Sequence, residues 1–137
     1  MKGLAVSVLL YVSLLAQASA ATTSYLCTSD RGINWDSPML ADDPVSKSML
    51  ALARQFVFDS ATATFRLVSQ PDGALLDPLQ FRILKEGNAS DSDLVAENPA
   101  EHSLLRIRTW QKSMRFFLFE SLMIYAGNCE PLKASRK

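Results

Sequence analysis

The sequence predicts a mainly β protein, a small antiparallel β-barrel or sandwich with one short helix, closed by one disulfide bond. Apolar residues recur at every second position in several short runs, which is typical of strands that bury one face. Turn-forming residues separate several of these runs, as in antiparallel sheets with close connections. The two cysteines, Cys27 and Cys129, lie so far apart that a bond between them would enclose nearly the whole domain.

The first twenty residues have the three parts of a secretory signal peptide. Lys2 gives a positive start, residues 4–15 carry no charge, and an Ala-Ser-Ala cleavage site occupies residues 18–20. The apolar run is about twelve residues, shorter than the roughly 20 that a membrane helix needs. We therefore expect cleavage after Ala20, one exported domain over residues 21–137 without a membrane span, and a periplasmic or secreted location.

Export changes how the cysteines and the charge are interpreted. An even number of cysteines in an exported chain favours a disulfide between Cys27 and Cys129 over free thiols or a metal pair. The chain has one histidine, His102, and no short spacing between these three side chains, so we expect neither a metal site nor a cofactor. Fourteen basic and fourteen acidic residues leave a net charge of −1 once Lys2 is removed, which argues against a nucleic-acid partner.

The mature chain is expected to begin with a short strand at residues 25–28 and to continue as a polar loop from residue 29 to Pro44. Asp43 as N-cap and Pro44 in the first turn predict a helix over residues 44–53.

Beyond the predicted helix the apolar period changes to two, which predicts strands. The residues assigned to their inner faces are Phe56, Phe58, Phe65, Leu67, Leu79, Phe81, Ile83, Leu105, Ile107, Met114, Phe116, Leu118, Leu122 and Ile124. The polar, acidic segment of residues 87–99 is predicted to be an exposed loop. Asn88-Ala89-Ser90 within it matches a glycosylation sequon, whose use the sequence leaves open.

Arginines are enriched in the predicted strands, and the acidic residues are expected in loops. Most strand arginines lie on the parity opposite the inner residues: Arg54, Arg66, Arg82, Arg106, Arg108 and Arg115. A two-residue turn at residues 111–112 would set Arg108 opposite Arg115 and Arg106 opposite Phe117. Because like charges directly opposite each other cost stability, this arrangement invites an anion or a nearby carboxylate.

We interpret Arg106, Arg108, Trp110, Arg115 and Phe117 as the candidate binding surface. The alternative is an ordinary solvated strand face whose charge neighbouring loops neutralise. Residues 114–119 are apolar on both parities, which indicates either a strand covered on both sides or a surface for a partner.

No catalytic group is recognised in the sequence, and a non-enzymatic role is expected. His102 would have to serve any Ser-His-Asp site, and adjacency to Ser103 does not create that geometry, because successive strand side chains point to opposite faces. Asp91, Asp93 and Glu97 lack the spacing and central glycine of an EF-hand and are interpreted as a solvated acidic loop.

Three segments carry a family resemblance: YLCT at residues 25–28, FVFD at 56–59 with Phe65 following, and YAGNC at 125–129. Together they resemble the small exported β-proteins of Gram-negative bacteria, which implies a bacterial envelope setting and no particular reaction. Periplasmic inhibitors of c-type lysozyme share the size, the export signal and a disulfide-tied barrel. Their Ser-Gly-x-x-Tyr segment is missing here, so no inhibitory residue is carried over.

Two functions are expected. The first is a binding or structural role in the envelope, in which a protein, glycan or anionic component contacts the arginine-rich face. The second is enzyme inhibition by insertion of residues 87–99 into a cleft. Deleting residues 88–97 should abolish an inhibitor and leave a binder through the sheet face intact.

Overall fold

The computed structural model describes residues 24–34, 55–69 and 72–133, and the regular structure of these residues is entirely β. Their nine strands are β1 (Ser24–Asn34), β2 (Gln55–Asp59), β3 (Thr64–Leu67), β4 (Leu79–Gln80), β5 (Arg82–Lys85), β6 (Leu94–Asn98), β7 (Ser103–Ile107), β8 (Met114–Glu120) and β9 (Met123–Pro131).

The strands form one antiparallel sheet that curls into a nearly closed barrel. Its order is β4-β3-β2-β1-β9-β8-β7-β6-β5, so β1 pairs with β9 and all other neighbours in the sheet are consecutive in the chain. The strands at the two ends of this order, β4 and β5, are separated only by Phe81. Residues 79–85 therefore contact β3 with their first half and β6 with their second half, which brings the two sides of the sheet together.

The predicted disulfide is confirmed and lies where the first described strand meets the last. Cys27 of β1 and Cys129 of β9 are register partners and are bonded to each other across 102 residues. Their exposed fractions are 0% and 7%, so the bond is part of the core. A covalent link across so long a loop stabilises the fold chiefly by restricting the unfolded chain.

Aromatic rings fill the interior of the barrel. Phe65 stacks on Phe56 and Phe81 with ring centres 4.6 Å and 5.4 Å apart, and Phe116 meets Phe56 edge-on at 5.0 Å. The Phe81 N–H also donates to the Ala63 carbonyl at 2.8 Å, which extends the pairing of β3 with β4 to the residue before β5. Because these side chains fill the interior of the barrel, a binding partner would contact the outer faces and end loops of the described region.

The alternation of apolar residues predicted most of the core correctly, but it placed β9 in the wrong parity. Met123 and Tyr125 are 5% and 1% exposed, whereas Leu122 is 52% exposed. Residues 122–125 are all apolar, so the pattern alone does not show which two of them face the interior. Leu122 and Ile124 were the two expected there. The disulfide decides the parity, since the buried Cys129 shares it with Met123 and Tyr125.

The predicted loop after Thr28 is wrong over its first residues. β1 continues to Asn34, and its second half pairs with β9 through a bulge between Ser29 and Arg31. The hydrogen bonds offered by β9 outweigh the local preference of Asp30 and Gly32 for a turn. The strand predicted around Leu79, Phe81 and Ile83 is real but is interrupted at Phe81, and the inner position predicted for Leu79 is wrong, since Leu79 is 37% exposed.

The predicted exposed loop over residues 87–99 is also wrong in its second half. Leu94–Asn98 forms β6, in which Leu94, Ala96 and Asn98 are buried. Its inner residues include a small and a polar side chain, so the apolar alternation is faint in the sequence. Glu97 consequently lies in a strand, as Asp30 does in β1, although both acids were expected in loops.

Two expectations fall outside the described residues: the signal peptide over residues 1–20 and the helix over residues 44–53. Among the residues that the structure describes, no helix has the length and hydropathy needed to cross a bilayer.

Candidate functional site

The five candidate residues come together on the outer face of β7 and β8 and on the connection between these strands. Arg106 lies opposite Phe117, and the Arg108 N–H donates to the Arg115 carbonyl at 2.9 Å, which is the register that the sequence predicts. The intervening Ile107 is fully buried, so the arginines on either side of it face outward. We call Arg106, Arg108, Trp110, Arg115 and Phe117 the arginine–aromatic face.

Asp93, just before β6, holds two members of this face. Its Oδ1 accepts a 2.6 Å hydrogen bond from Trp110 Nε1, and its Oδ2 accepts one of 2.5 Å from Arg106 Nε. Burial by itself would raise the pKa of Asp93. The hydrogen bonds from Trp110 and Arg106 and the charges of Arg106 and Arg108 outweigh burial, so the pKa is lowered.

The charge of Arg115 is neutralised by an aspartate of β1. Its Nη1 lies 2.9 Å from Asp30 Oδ2 and 3.5 Å from Asn128 Oδ1. Asp30 is the extra residue of the β1 bulge, between Ser29 and Arg31. Both partners are partly exposed, with 34% and 48% of their side-chain surfaces accessible, so this pair contributes about 0–1 kcal/mol to stability.

Arg108 is the arginine of this face without an ion pair among the described residues, and its charge acts on Asp93 only from a longer distance. Its guanidinium carbon lies 5.8 Å from the centre of the Phe117 ring, a cation–π arrangement. Its Nε is buried and finds no hydrogen-bond acceptor in the described part of the chain. A buried donor without an acceptor is costly, so the described fold leaves the Arg108 guanidinium incompletely compensated.

An apolar strip continues the arginine–aromatic face toward the β8–β9 turn. Leu104 lies opposite Phe119, Phe119 lies opposite Ile124, and Leu122 occupies the turn. Leu104, Phe119 and Leu122 are 36%, 39% and 52% exposed. We call these four residues the apolar strip. Its signal in the sequence was the apolar run on both parities of β8. That run indicated either a strand covered on both sides or an exposed surface, and Phe119 is exposed.

The loop of residues 86–93 is folded against the β7–β8 connection. Asn88 Oδ1 accepts hydrogen bonds of 2.8–3.0 Å from the backbone N–H groups of Ser90, Asp91 and Ser92. The hydroxyl of the buried Thr109 lies 2.7 Å and 2.9 Å from the carbonyls of Asn88 and Ser92. This loop is therefore shorter and more ordered than the sequence predicted.

The remaining candidate chemistry is not brought together. Asp91 accepts from Asn88 Nδ2 at 3.0 Å, whereas Glu97 pairs with Arg82 on β5. No group of three potential metal ligands occurs among the described residues. His102 is exposed in the β6–β7 turn, and the Ser103 hydroxyl donates to the Glu101 carbonyl at 3.3 Å, so these two neighbours do not form a nucleophile–base pair.

Neither known protein families, curated proteins nor solved structures give a match to this chain.

The sequence missed the residue that organises the site. Asp93 was assigned to a solvated acidic loop, but it is 7% exposed and joins Trp110 to Arg106. The sequence carries one faint signal: Asp93 directly precedes a strand and is followed by Leu94, the first buried residue of β6. Pairing of β6 with β7 places Val95 opposite Arg106, which brings Asp93 within reach of both partners.

Proposed function

We propose that this protein is a non-enzymatic binding domain of the bacterial envelope that contacts an acidic partner through its arginine–aromatic face. The N-terminal export pattern supports a periplasmic or secreted location, with cleavage near Ala20. The Cys27–Cys129 disulfide supports it as well, because such bonds persist in oxidising compartments.

The observation that carries this proposal is the state of Arg108. Arg106 and Arg115 each form an ion pair with an aspartate, whereas Arg108 has no ion pair in the described region and its buried Nε has no acceptor. A carboxylate or phosphate group on a partner supplies the ion pair that Arg108 lacks, at the accessible part of its half-buried side chain. Charge-assisted hydrogen bonds to guanidinium are among the stronger polar contacts in proteins.

The aromatic members of the face suit a partner that presents more than an isolated anion. Phe117 lies beneath the Arg108 guanidinium, and Trp110, 40% exposed, is held in place by its hydrogen bond to Asp93. Rigid aromatic side chains offer contact area at a low entropic cost. The proposed partner is therefore an acidic group on a protein, glycan or other envelope component.

A comparison of three immobilised proteins tests the proposal. The mature, oxidised wild type, its Arg108→Ala variant and an Arg66→Ala control are exposed to envelope extract. Arg66 is an outward residue of β3, on a different part of the barrel. We expect a captured component that the R108A bait loses and the R66A bait retains. Equal capture by all three baits would show that the face is not the binding site.

A defined anion gives an independent readout. We expect pyrophosphate to shift the side-chain Nε–H resonance of Arg108 and the indole N–H resonance of Trp110 in a nitrogen-15 correlation spectrum. The Nε–H resonance of Arg82, which is paired with Glu97 on another strand, serves as the internal control. Shifts of equal size at Arg82 would indicate general ionic screening and contradict a site at Arg108.

The second candidate function is enzyme inhibition by the loop of residues 86–93, favoured by the order of that loop. Asn88 and Thr109 hold it in one conformation, and a preorganised loop loses little entropy when it enters a cleft. Because the loop ends where β6 begins, deletion of residues 88–97 would remove a strand and is no longer a clean test. Ala89→Trp, at an exposed position, should abolish inhibition of a c-type lysozyme while leaving binding through Arg108 unchanged.

A further inference from the structure

A further outward arginine lies close to the arginine–aromatic face. Arg31 of β1 is the register partner of Ala126 on β9, Ala126 is paired with Phe117 on β8, and Phe117 is paired with Arg106 on β7. The strand neighbours of Ala126, Phe117 and Arg106 are buried, so these three side chains point outward, and Arg31 is exposed. We call these four residues the cross-strand row.

Arg31 and Arg108 both lack an ion pair among the described residues. The guanidinium carbon of Arg108 lies 5.8 Å from the centre of the Phe117 ring. Phe117 and Arg31 are two strand spacings apart, or roughly 10 Å between their backbones. Two guanidinium groups without ion pairs along one row suit a ligand that carries more than one acidic group.

Positive charge exceeds negative charge along this part of the surface. Its cations are Arg31, Arg106, Arg108, Lys112 and Arg115, and the carboxylates paired with two of them are Asp30 and Asp93. Glu130 is exposed on β9, two positions beyond Asn128, and repels an acidic ligand on that side. The charges therefore complement a polyanion that follows the cross-strand row.

A shallow depression lies at the centre of the row, where the small side chain of Ala126 separates Phe117 from Arg31. On one side of Ala126 the ion pair between Arg115 and Asp30 passes over β9, because Arg115 belongs to β8 and Asp30 to β1. This ion pair borders the depression with polar groups.

The opposite border of the depression is apolar. Phe119 and Ile124 are register partners on β8 and β9, two positions from Phe117 and Ala126. A sugar ring presents hydroxyl groups around its rim and C–H groups on its faces, so it suits a depression with one polar and one apolar border. The weakly positive C–H groups pack on the negative faces of aromatic rings, and Trp110 is a further exposed ring on this side of the barrel.

We propose that the acidic partner of this face is a glycan, a linear chain of sugars that bear carboxylate groups, bound across β7, β8, β9 and β1 along the cross-strand row. This inference rests on the proposed function, because it names the chemical class of the partner of the same face and adds Arg31 as a binding residue. Carboxylates of one chain contact Arg108 and Arg31, and sugar rings occupy the depression over Ala126.

An acidic peptide fits this surface less well. The four strands each have a hydrogen-bonded neighbour on both sides, so they offer no free edge to which an extended peptide could add. Asn128, Thr28 and Gln55 continue the sheet position of Arg115 across β9, β1 and β2. Uncharged polar side chains of this kind suit sugar hydroxyls, which both donate and accept hydrogen bonds.

Calorimetric titration of the mature, oxidised protein with galacturonate and with tetragalacturonate tests the proposal. We expect tetragalacturonate to bind about tenfold more tightly than the single sugar, because one chain engages both Arg108 and Arg31. Arg31→Ala should remove most of this gain without affecting the fold, which circular dichroism checks. Arg66→Ala is the matched control, because Arg66 is an outward arginine of β3, and it should leave both affinities unchanged. Equal affinity for the two ligands, or an R31A variant that binds tetragalacturonate as the wild type does, would overturn the proposal.

Two other chains test the class of the ligand. Maltotetraose has four sugars without a charge, and acetylated tetraglutamate amide has four carboxylates without sugars. We expect each to bind about tenfold more weakly than tetragalacturonate, because each lacks one of the two kinds of contact. A tetraglutamate that binds as tightly as tetragalacturonate would show that charge alone decides binding and would reject a glycan site.

The pyrophosphate titration separates failure of this inference from failure of the proposed function. Shifts at Arg108 without a preference for tetragalacturonate would reject the glycan and leave the anion site at Arg108 intact. Tetragalacturonate binding that Arg31→Ala weakens and Arg108→Ala leaves unchanged would reject the contact of one chain with both arginines.

Discussion

Trp110 donates its indole N–H to Asp93 across 2.6 Å and seventeen positions of sequence, joining the β7–β8 connection to the residue before β6. Arg106 donates to the other oxygen of the same carboxylate. Thr109, the neighbour of Trp110, ties the connection to the loop of residues 86–93 as well. Two loops at one end of the barrel therefore form a single unit, and Asp93 fixes the position of the tryptophan on the proposed binding face.

Asp93→Ala should destabilise the fold and release Trp110. Removing the carboxylate leaves the indole N–H and the Arg106 guanidinium without their acceptor, at a cost of about 1–3 kcal/mol in the free energy of unfolding. Urea unfolding followed by circular dichroism measures the loss, and the indole N–H resonance of Trp110 reports the release. Glu86→Ala, an exposed substitution in the same loop, should change neither.

The contribution of Asp93 should also disappear in acid. Its pKa in the folded protein is below the ordinary 3.8, so the ionised form is favoured by folding. The stabilisation is therefore present above pH 3.8 and is lost as the pH falls through the lower folded value. Asp93→Asn, which cannot ionise, should flatten this part of the pH dependence. An unchanged acid limb in the D93N variant would show that the ion pair contributes nothing.

Replacing both Cys27 and Cys129 by alanine should lower stability by about 2–5 kcal/mol, the usual range for loss of a disulfide that closes a long loop. Because the bond joins β1 to β9, we expect its loss to weaken the pairing between these two strands first. Hydrogen exchange of the amides of β1 and β9 should increase more than that of β6 and β7. Two thiols that react with an alkylating reagent in the native exported protein would contradict the disulfide itself.

The sequence predicted the β class, the disulfide and most of the core because those features depend on local alternation and on cysteine count. Phe65, Phe81 and Ile107 each stand between two polar residues, so the inward parity is unambiguous at these positions. Where apolar residues occupy both parities, as around Leu122, the pattern loses its information. The choice then depends on the partner strands and on the buried Cys129.

The candidate site was only half predictable for a related reason. A short turn fixes the register of a hairpin, so the pairing of Arg106 with Phe117 followed from the sequence between them. The carboxylates that neutralise the arginines come from elsewhere: Asp93 precedes β6, and Asp30 belongs to a bulge in β1. Such contacts depend on the curvature of the whole sheet, which no local pattern contains.

Gly127→Ala should destabilise the protein because its position has no room for a methyl group. A Cβ there would lie 2.0 Å from the Thr28 carbonyl oxygen and 2.7 Å from the Phe116 ring. Forcing the β1 backbone or this buried ring to move costs about 2–3 kcal/mol, as expected for an overpacked core. The contrast is Gly73→Ala, where the space is open and the positive φ of 70° alone costs about 1 kcal/mol. Equal losses of stability for the two variants, measured by urea unfolding, would show that the backbones of β1 and β9 move easily at the bulge to admit the methyl group.

Glu120→Gln should stabilise the folded protein at neutral pH, in contrast to the other substitutions. Burial, reinforced by the charge of Glu101, raises the pKa of this carboxyl above its ordinary 4.5, so ionisation opposes folding. The penalty is absent below pH 4.5, develops as the pH rises through the folded pKa, and is complete above it. The midpoint of urea unfolding should therefore be higher for the E120Q variant at pH 7 and equal to that of the wild type near pH 3.5.

Glu130→Gln on β9 is the matched control, since Glu130 is exposed and its neutralisation should leave the unfolding midpoint unchanged at both pH values. If E120Q gains no stability at pH 7, the carboxylate is already compensated within one chain.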